Sequence, residues 1–438
     1  MKHHIFFQKC LKPIFLLVYF VYLTIPFFLL FNHPLVVAQD TQDTLIATIS
    51  DEDISSMGVQ WKYHRPDNSP DGNSTSWKLR WSPDGEKLAI VYFDNTVVIL
   101  NGKTGKVINA LGTAAPVILE PESSRSRCWG YTTNPLVPLL RACAWSPDSN
   151  LLAVAGDHRL IEIYNTSTWE SVKVLEGHAG SILSLDWSPD GSRLASGEGT
   201  DQILPHNQAE CKYHIKIWNI TTFEEELTLI GHTDSVISVS WSKDSSKLVS
   251  ASDDRNLRMW YTNNGSLMFI LGGSIGHTAG VLDVDWSPNQ TRLVSGSRDF
   301  KIRLWDALTG TPIGDPWKDH NCVRSVHWHP ESRYIATAGV DQSLKIREAG
   351  TGKEIKIFSE AEETNSEVMS ARWSPDGRAI AVCSSRDSTV RLYAIGFEVI
   401  DEREPDWVIG ISLFLIIGII GLIFIFLPLR SELRERRK

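Results

Sequence analysis

The chain has 438 residues, 42% of them apolar and 22% charged, with 30 Gly and 20 Pro. That composition excludes collagen-like and mostly disordered chains, and the length allows two or three domains. A formal net charge of -9 argues against a general nucleic-acid binder, which needs a basic surface to displace counterions.

The chain opens with Lys2, Lys9 and Lys12 and no acidic residue before position 39, around an almost unbroken apolar run from Pro13 to Phe31. Val36, Val37 and Ala38 then place small or branched residues where a signal peptidase reads. Residues 1–38 are therefore read as a secretory signal peptide. A retained signal anchor is the alternative, because the apolar run exceeds the usual core of roughly 7–15 residues.

The middle of the chain is repetitive, and most of its sixteen tryptophans recur in register. Trp followed by Ser-Pro or a close variant stands at Trp81, Trp145, Trp187, Trp241, Trp286, Trp328 and Trp373. Two residues before each stands Leu79, Cys143, Leu185, Val239, Val284, Val326 or Ala371, the alternation of a strand with one buried face. The Ser-Pro-Asp-Gly that follows is a turn, with Gly or Asn expected to accept positive φ. Second and third short strands succeed it, as in Arg292–Gly296 and Ile302–Trp305. Three strands joined by short turns, and then a fourth, make one antiparallel sheet per unit.

Near the end, Val408 to Leu427 is uncharged, long enough to cross a bilayer core with the roughly 20 residues that requires. Trp407 stands at its entry, and Arg430, Arg434, Arg436, Arg437 and Lys438 follow it. Residues 406–427 are read as a transmembrane helix and 428–438 as a basic cytoplasmic tail, which places 39–405 outside the cytoplasm.

The repeated units resemble the WD-repeat β-propeller family. Gly177-His178, Gly231-His232 and Gly276-His277 match its Gly-His signature, and Trp218-Asn219, Trp260-Tyr261 and Trp305-Asp306 stand at its Trp-Asp position. The resemblance covers roughly residues 44–400 and implies an all-β, seven-bladed β-propeller. It also implies that one terminus supplies the last blade's outer strand, a role assigned here to Thr44–Ile49, with Phe397–Ile400 as competitor. Within blades it implies a hydrogen-bonded set of His, Ser or Thr, Asp and Trp. His232, Ser250, Asp254 and Trp260 form one such set, and His277, Ser295, Asp299 and Trp305 a second. His320, Thr337 and Asp341 are a partial third, with Arg347 in place of Trp. These are structural groups and not catalytic triads.

Two places break the register: a connection at 113–138, with Arg125, Arg127, Cys128, Trp129 and Tyr131, and a swollen turn at 198–213, with His206 and Cys211. By the family's strand order both open on the rim that carries the Gly-His loops. A disulfide between Cys128 and Cys211 would staple them. A metal site from Cys128, His206, Cys211 and His214 is the sharper alternative, but its spacing fits no zinc pattern. Cys143, Cys322 and Cys383 read as small buried hydrophobes, and His327 and His329 as surface residues. The expected partner-binding rim combines Arg125, Arg127, Trp129 and Tyr131 with Asp253, Arg298 and Arg386 at channel-facing turns, where the resemblance implies contacts.

No catalytic, metal or cofactor signature occurs. Asn101–Lys106 and Gly350–Lys353 imitate phosphate loops but fall in strand-to-strand turns. Sequons at Asn73, Asn165, Asn219, Asn264 and Asn289 matter only where exported chains are glycosylated. The expectation is a membrane-tethered extracytoplasmic scaffold that binds a protein or peptide, with no nucleic acid and no cofactor. A hydrolase or lyase at the channel mouth is one alternative, and would need clustered carboxylates that the sequence does not display. A cytosol-facing anchored propeller resembling exchange factors is the other.

Overall fold

Each Trp-Ser-Pro unit folds as a four-stranded antiparallel sheet, and seven such sheets stand side by side in a closed ring. The computed structural model describes residues 49–65, 75–112, 139–200, 212–319, 321–359, 366–385 and 388–395. The innermost strands are β2 (Ser76–Trp81), β6 (Leu140–Trp145), β10 (Ser181–Trp187), β14 (Val236–Trp241), β18 (Val281–Trp286), β22 (Val323–Trp328) and β26 (Val368–Trp373). Blades one to six each use four consecutive strands.

Blade seven is closed from the other end of the described chain, by a different segment from the one expected. β1 (Gly58–His64) pairs antiparallel with β28 (Thr389–Ala394), from Gly58 opposite Ala394 to His64 opposite Thr389. Thr44 to Thr48 and Phe397 to Ile400 lie outside the described residues. The outer position is nonetheless taken by β1, whose Trp61 and Tyr63 alternate onto the core shared by blades seven and one. Between Ile49 and β1 comes α1 (Asp51–Ser56), which interrupts any strand continuing from Thr44–Ile49. Ser50 caps it, accepting from Asp53 N while Asp53 accepts from Ser50 N, a capping box that fixes its first turn.

The recurring tryptophans join one blade to the next. In five of the seven the indole Nε1 donates to the carbonyl one residue before the tryptophan of the preceding blade, whereas those of Trp328 and Trp373 have no partner. Trp81 donates to Arg372 O at 3.2 Å, Trp145 to Arg80 O at 3.0 Å and Trp187 to Ala144 O at 3.0 Å. Trp241 does so to Asp186 O at 3.0 Å and Trp286 to Ser240 O at 3.1 Å. The Trp81 bond crosses the seam where the ring closes. The turns repeat as well. In six units Ser Oγ donates to the Asp or Asn two residues on, as in Ser82 to Asp84, and in blade six His329 Nδ1 takes that place by accepting from Glu331 N.

Positive φ falls four residues after every one of the seven tryptophans. It lands on Gly85, Ser149, Gly191, Ser245, Gln290, Ser332 and Gly377, so Ser and Gln carry it where Gly or Asn was expected. At Gly377 the need is strict: φ is +73° and a Cβ would meet His329 Nε2 at 2.4 Å.

Among the described residues no helix is long and apolar enough to cross a membrane. Residues 1–38, the 406–427 segment and the 428–438 tail lie outside them.

Candidate functional site: the channel and its two mouths

The blade interiors use most of the His and Asp that catalysis would otherwise claim. His232 Nδ1 lies 2.7 Å from Asp254 and its Nε2 2.8 Å from Ser250 Oγ, which also accepts from Trp260 Nε1 at 2.9 Å. His277 repeats this with Asp299 at 3.0 Å, Ser295 at 2.8 Å and, through Ser295, Trp305. Burial pushes both carboxyls up, but the bond and charge of each histidine together with further hydrogen bonds from nearby amides outweigh it and hold Asp254 and Asp299 at about 2. Burial holds both histidines below their ordinary range despite the facing carboxylates.

A third set escaped the sequence reading. His178 contacts Ser196 Oγ at 2.6 Å and Glu198 at 3.2 Å, and Trp218 Nε1 donates to Ser196 at 2.8 Å. Glu198 was assigned to a swollen turn but sits in β11 (Arg193–Gly199), 1% exposed. A longer side chain on the strand here replaces Asp in the turn, which hides the set from a search by spacing.

Blade six corrects the expected partial set. The residue at the histidine register, 18 before Thr337, is Asp319 and not His320, which lies outside the described residues. Thr337 Oγ1 has no hydrogen-bond partner. Instead Lys345 pairs with Asp319 and with Asp341, and Arg347 reaches Asp319 at 3.2 Å and Glu354 at 2.7 Å.

Inner strands start at the Gly-His rim and end at the Ser-Pro turns, so alternate residues face the channel. One residue before each tryptophan these are Arg80, Ala144, Asp186, Ser240, Asp285, His327 and Arg372. Two residues further back in blades one and five are Lys78 and Asp283. Lys78 spans from blade one to donate to Leu183 O at 2.8 Å. Arg372 donates to Asp283 at 2.9 Å and to Ser325 Oγ at 2.8 Å, while Asp283 also accepts from Ser238 Oγ and Val326 N. These struts form a waist across the channel. Burial brings the Lys78 ammonium down to about 7.

On the Ser-Pro side of the waist lies a cavity of about 290 Å³ lined by Arg80, Asp186, Asp285, His327 and Arg372, with Trp81, Trp373, Pro330 and Pro375. Asp186 accepts from Trp241 N at 2.8 Å, Asp285 from Trp328 N at 2.8 Å, and His327 Nδ1 from Trp373 N at 3.1 Å. Burial pushes the Asp186 carboxyl up to about 6 and that of Asp285 up to about 7. Carboxylates therefore do cluster in the channel, contrary to expectation. They are separated by 99 residues and meet only through ring closure. His327 is half-buried in the channel and His329 is 1% exposed, so neither is a plain surface residue.

At the opposite mouth Arg298 Nη2 meets Asp253 at 3.3 Å, bridging blades four and five, and Arg324 meets Glu367 at 2.9 Å. Burial pushes Asp253 up to about 6 although Arg298 opposes it. Arg125, Arg127, Trp129, Tyr131, Arg386, Cys128, His206 and Cys211 lie outside the described residues. Cys143 and Cys383 are buried, whereas Cys322 is only half-buried. No group of three metal-ligating side chains occurs among the described residues. Asn101 Oδ1 accepts from Lys103 N and Thr104 N, making the Gly-Lys segment an Asx turn with its backbone donors used. Asn165, Asn219, Asn264 and Asn289 likewise accept from amides two residues on.

The WD domain, G-beta repeat family matches residues 132–165, 169–204, 223–261, 269–306, 310–347 and 352–394. The chain belongs to the WD40 repeat family. The anaphase-promoting complex subunit 4 WD40 domain family matches residues 39–121, which contain the first blade. Among curated proteins it is similar to anaphase-promoting complex subunit cdc20 of Dictyostelium discoideum, 26% identical over 157 residues, 34% of this chain and 29% of that protein. Protein HIR1 of Cryptococcus neoformans is 28% identical over 269 residues, covering 57% and 25% of the two chains. Protein tipD of Dictyostelium discoideum is 26% identical over 325 residues, covering 62% and 50%. The chain thus spans between a quarter and a half of the length of these relatives.

Proposed function

We propose that this WD40 propeller is a membrane-tethered, extracytoplasmic scaffold that presents its Gly-His rim to a protein or peptide partner and performs no catalysis. The observation that carries the binding role is the internal use of His178, His232, His277 and their serines and tryptophans, which makes a rigid support. The groups left for recognition stand at the rim, where the Asp253–Arg298 pair lies across a blade seam. The 113–138 insertion adds Arg125, Arg127, Trp129 and Tyr131, the residue types of an interface hot spot. The names of the related anaphase-promoting complex subunits, each part of a larger assembly, are in keeping with a partner-binding role.

The tether rests on the sequence: an apolar start with lysines only, and an uncharged stretch from Val408 to Leu427 ahead of an arginine-rich end. A tether confines the propeller to the membrane plane and raises its effective concentration toward a partner held there. Crosslinking in intact membranes identifies the partner. Alanine at Trp129 and at Arg298 should each reduce its recovery, and undiminished recovery from both would remove the rim from the account. External protease should cleave the propeller in intact cells, and protection until lysis would place it in the cytosol. Asp186 and Asp285 are the channel-mouth carboxylates that a hydrolase would need, but each spends one interaction on a neighbouring blade's amide.

A further inference from the structure

The chamber beyond the waist has a charge count that its own residues do not close. Arg372 is neutralised by Asp283, and its donors go to Asp283, Ser325, Val326 O and Ala371 O. On the wall itself three carboxylates, Asp186, Asp283 and Asp285, stand against two guanidinium groups, Arg80 and Arg372; Arg372 acts on all three, and Lys78 reaches Asp283 from across the waist. His327 cannot supply the missing cation. Its Nδ1 accepts from Trp373 N, and burial together with Arg372 and Arg80 holds the ring well below its ordinary range. β6 and β14 bring Ala144 and Ser240 to this tier, neither of them charged. On the far side of the waist the titratable neighbours are Lys78 and Cys143.

Asp186 accepts from the amides of Trp241 and Trp187, while Asp285 has one oxygen bound to the Trp328 amide, with His327 Nε2 3.9 Å from that same oxygen. Around them Trp81, Pro330 and Pro375 form an apolar neck among the Ser-Pro turns. The indole N–H of Trp373, which borders the chamber and is 2% exposed, has no partner, whereas five of its counterparts bond the preceding blade. An apolar neck leading to a wall with more carboxylates than guanidinium groups describes a receptor for a monovalent cation on an aliphatic stem.

We propose that this chamber, on the face opposite the Gly-His rim, binds the side chain of a lysine or arginine, with Asp186 and Asp285 holding its charged head. Burial raises both carboxyls within the chamber. A cation lowers them, so binding releases protons between about pH 5.5 and 7.5, and affinity rises with pH across that window.

Calorimetry on the full-length chain in detergent tests this, with N-acetyl-lysine amide and N-acetyl-arginine amide as probes and the norleucine and citrulline analogues as uncharged controls. At least one cation should bind and neither control should. Asp186→Asn and Asp285→Asn should each weaken it about tenfold, while Arg80→Gln, by removing the competing charge, should tighten it several-fold. Paired titrations in buffers of different ionisation enthalpy should show proton release near pH 6.5 that Asp285→Asn reduces. Burying the same residue in a short peptide distinguishes sources: tighter binding than the amide marks a protein ligand, equal binding a free small molecule, and either supports the site. No binding by either cation, equal binding of the controls, or affinities untouched by all three substitutions in folded protein would overturn it. Loss of rim binding leaves this result unaffected, so the two readings fail separately.

Discussion

Blades five and six occupy adjacent places in one ring, yet stabilise the same interior positions with opposite chemistry. Blade five uses His277, Ser295, Asp299 and Trp305, mostly neutral groups that satisfy one another. Blade six replaces histidine with Asp319 and tryptophan with Arg347, and Lys345 links Asp319 to Asp341 with side chains 4% and 7% exposed in the Lys345–Asp319 pair. The fold thus requires that the site be internally satisfied and does not prescribe how. A neutral network loses little when its geometry is slightly off, whereas a buried ionic one loses much if a single charge is removed.

Breaking the ionic member of this pair gives the largest effect. Lys345→Met leaves Asp319 and Asp341 without their shared cation and should cost about 3–5 kcal/mol, read from denaturant midpoints at an unchanged slope. Converting blade six to the chemistry of blade five, with Asp319→His, Lys345→Arg and Arg347→Trp together, should instead be neutral or stabilising by about 1–4 kcal/mol. The same variant sharpens the comparison through pH. Burial lowers the Lys345 ammonium, but its bonds to Asp319 and Asp341 more than compensate and raise it above 10.5. Its contribution is therefore complete below pH 10.5 and lost above it, so the wild-type melting temperature should fall more steeply beyond that point than the variant's.

The neutral side fails in the other direction. His277→Ala strands Ser295 and Asp299 and should cost about 1–3 kcal/mol in the same unfolding measurement. Asp299 is at about 2 when folded and 3.8 otherwise, so its contribution is present above pH 4 and disappears as pH falls toward 2. His277→Ala should flatten that acid limb. The smallest effect concerns the strap beside blade six. Tyr334 Oη donates to Asp51 at 2.6 Å, and Ile54 is fully buried against the seam of blades six and seven. Tyr334→Phe should cost about 0.5–1.5 kcal/mol and speed hydrogen exchange in residues 50–57.

The comparison also explains what could be read in advance. The sets at His232 and His277 were legible because their four members keep fixed intervals of 18, 22 and 28 residues. The set at His178 is hidden because Glu198 reaches the histidine from a strand, and in blade six a histidine, His320, stands one residue after the register position that Asp319 occupies. The closing strand was misplaced because Thr44–Ile49 and Gly58–His64 both alternate, and alternation does not specify a partner.

The sequence by itself determined the blade: a tryptophan at each inner-strand end, a turn with positive φ four residues later, and apolar residues on one face of every strand. These are local properties, set by side-chain periodicity and backbone sterics within about twenty residues. Only the tertiary structure decided what lies in the channel. Arg80, Asp186, Asp285, His327 and Arg372 each look like an ordinary polar residue beside a tryptophan, and their charges interact because ring closure brings five distant strands around one axis. Coulomb energy depends on distance in space and on the surrounding dielectric, and neither is written in the order of residues along the chain.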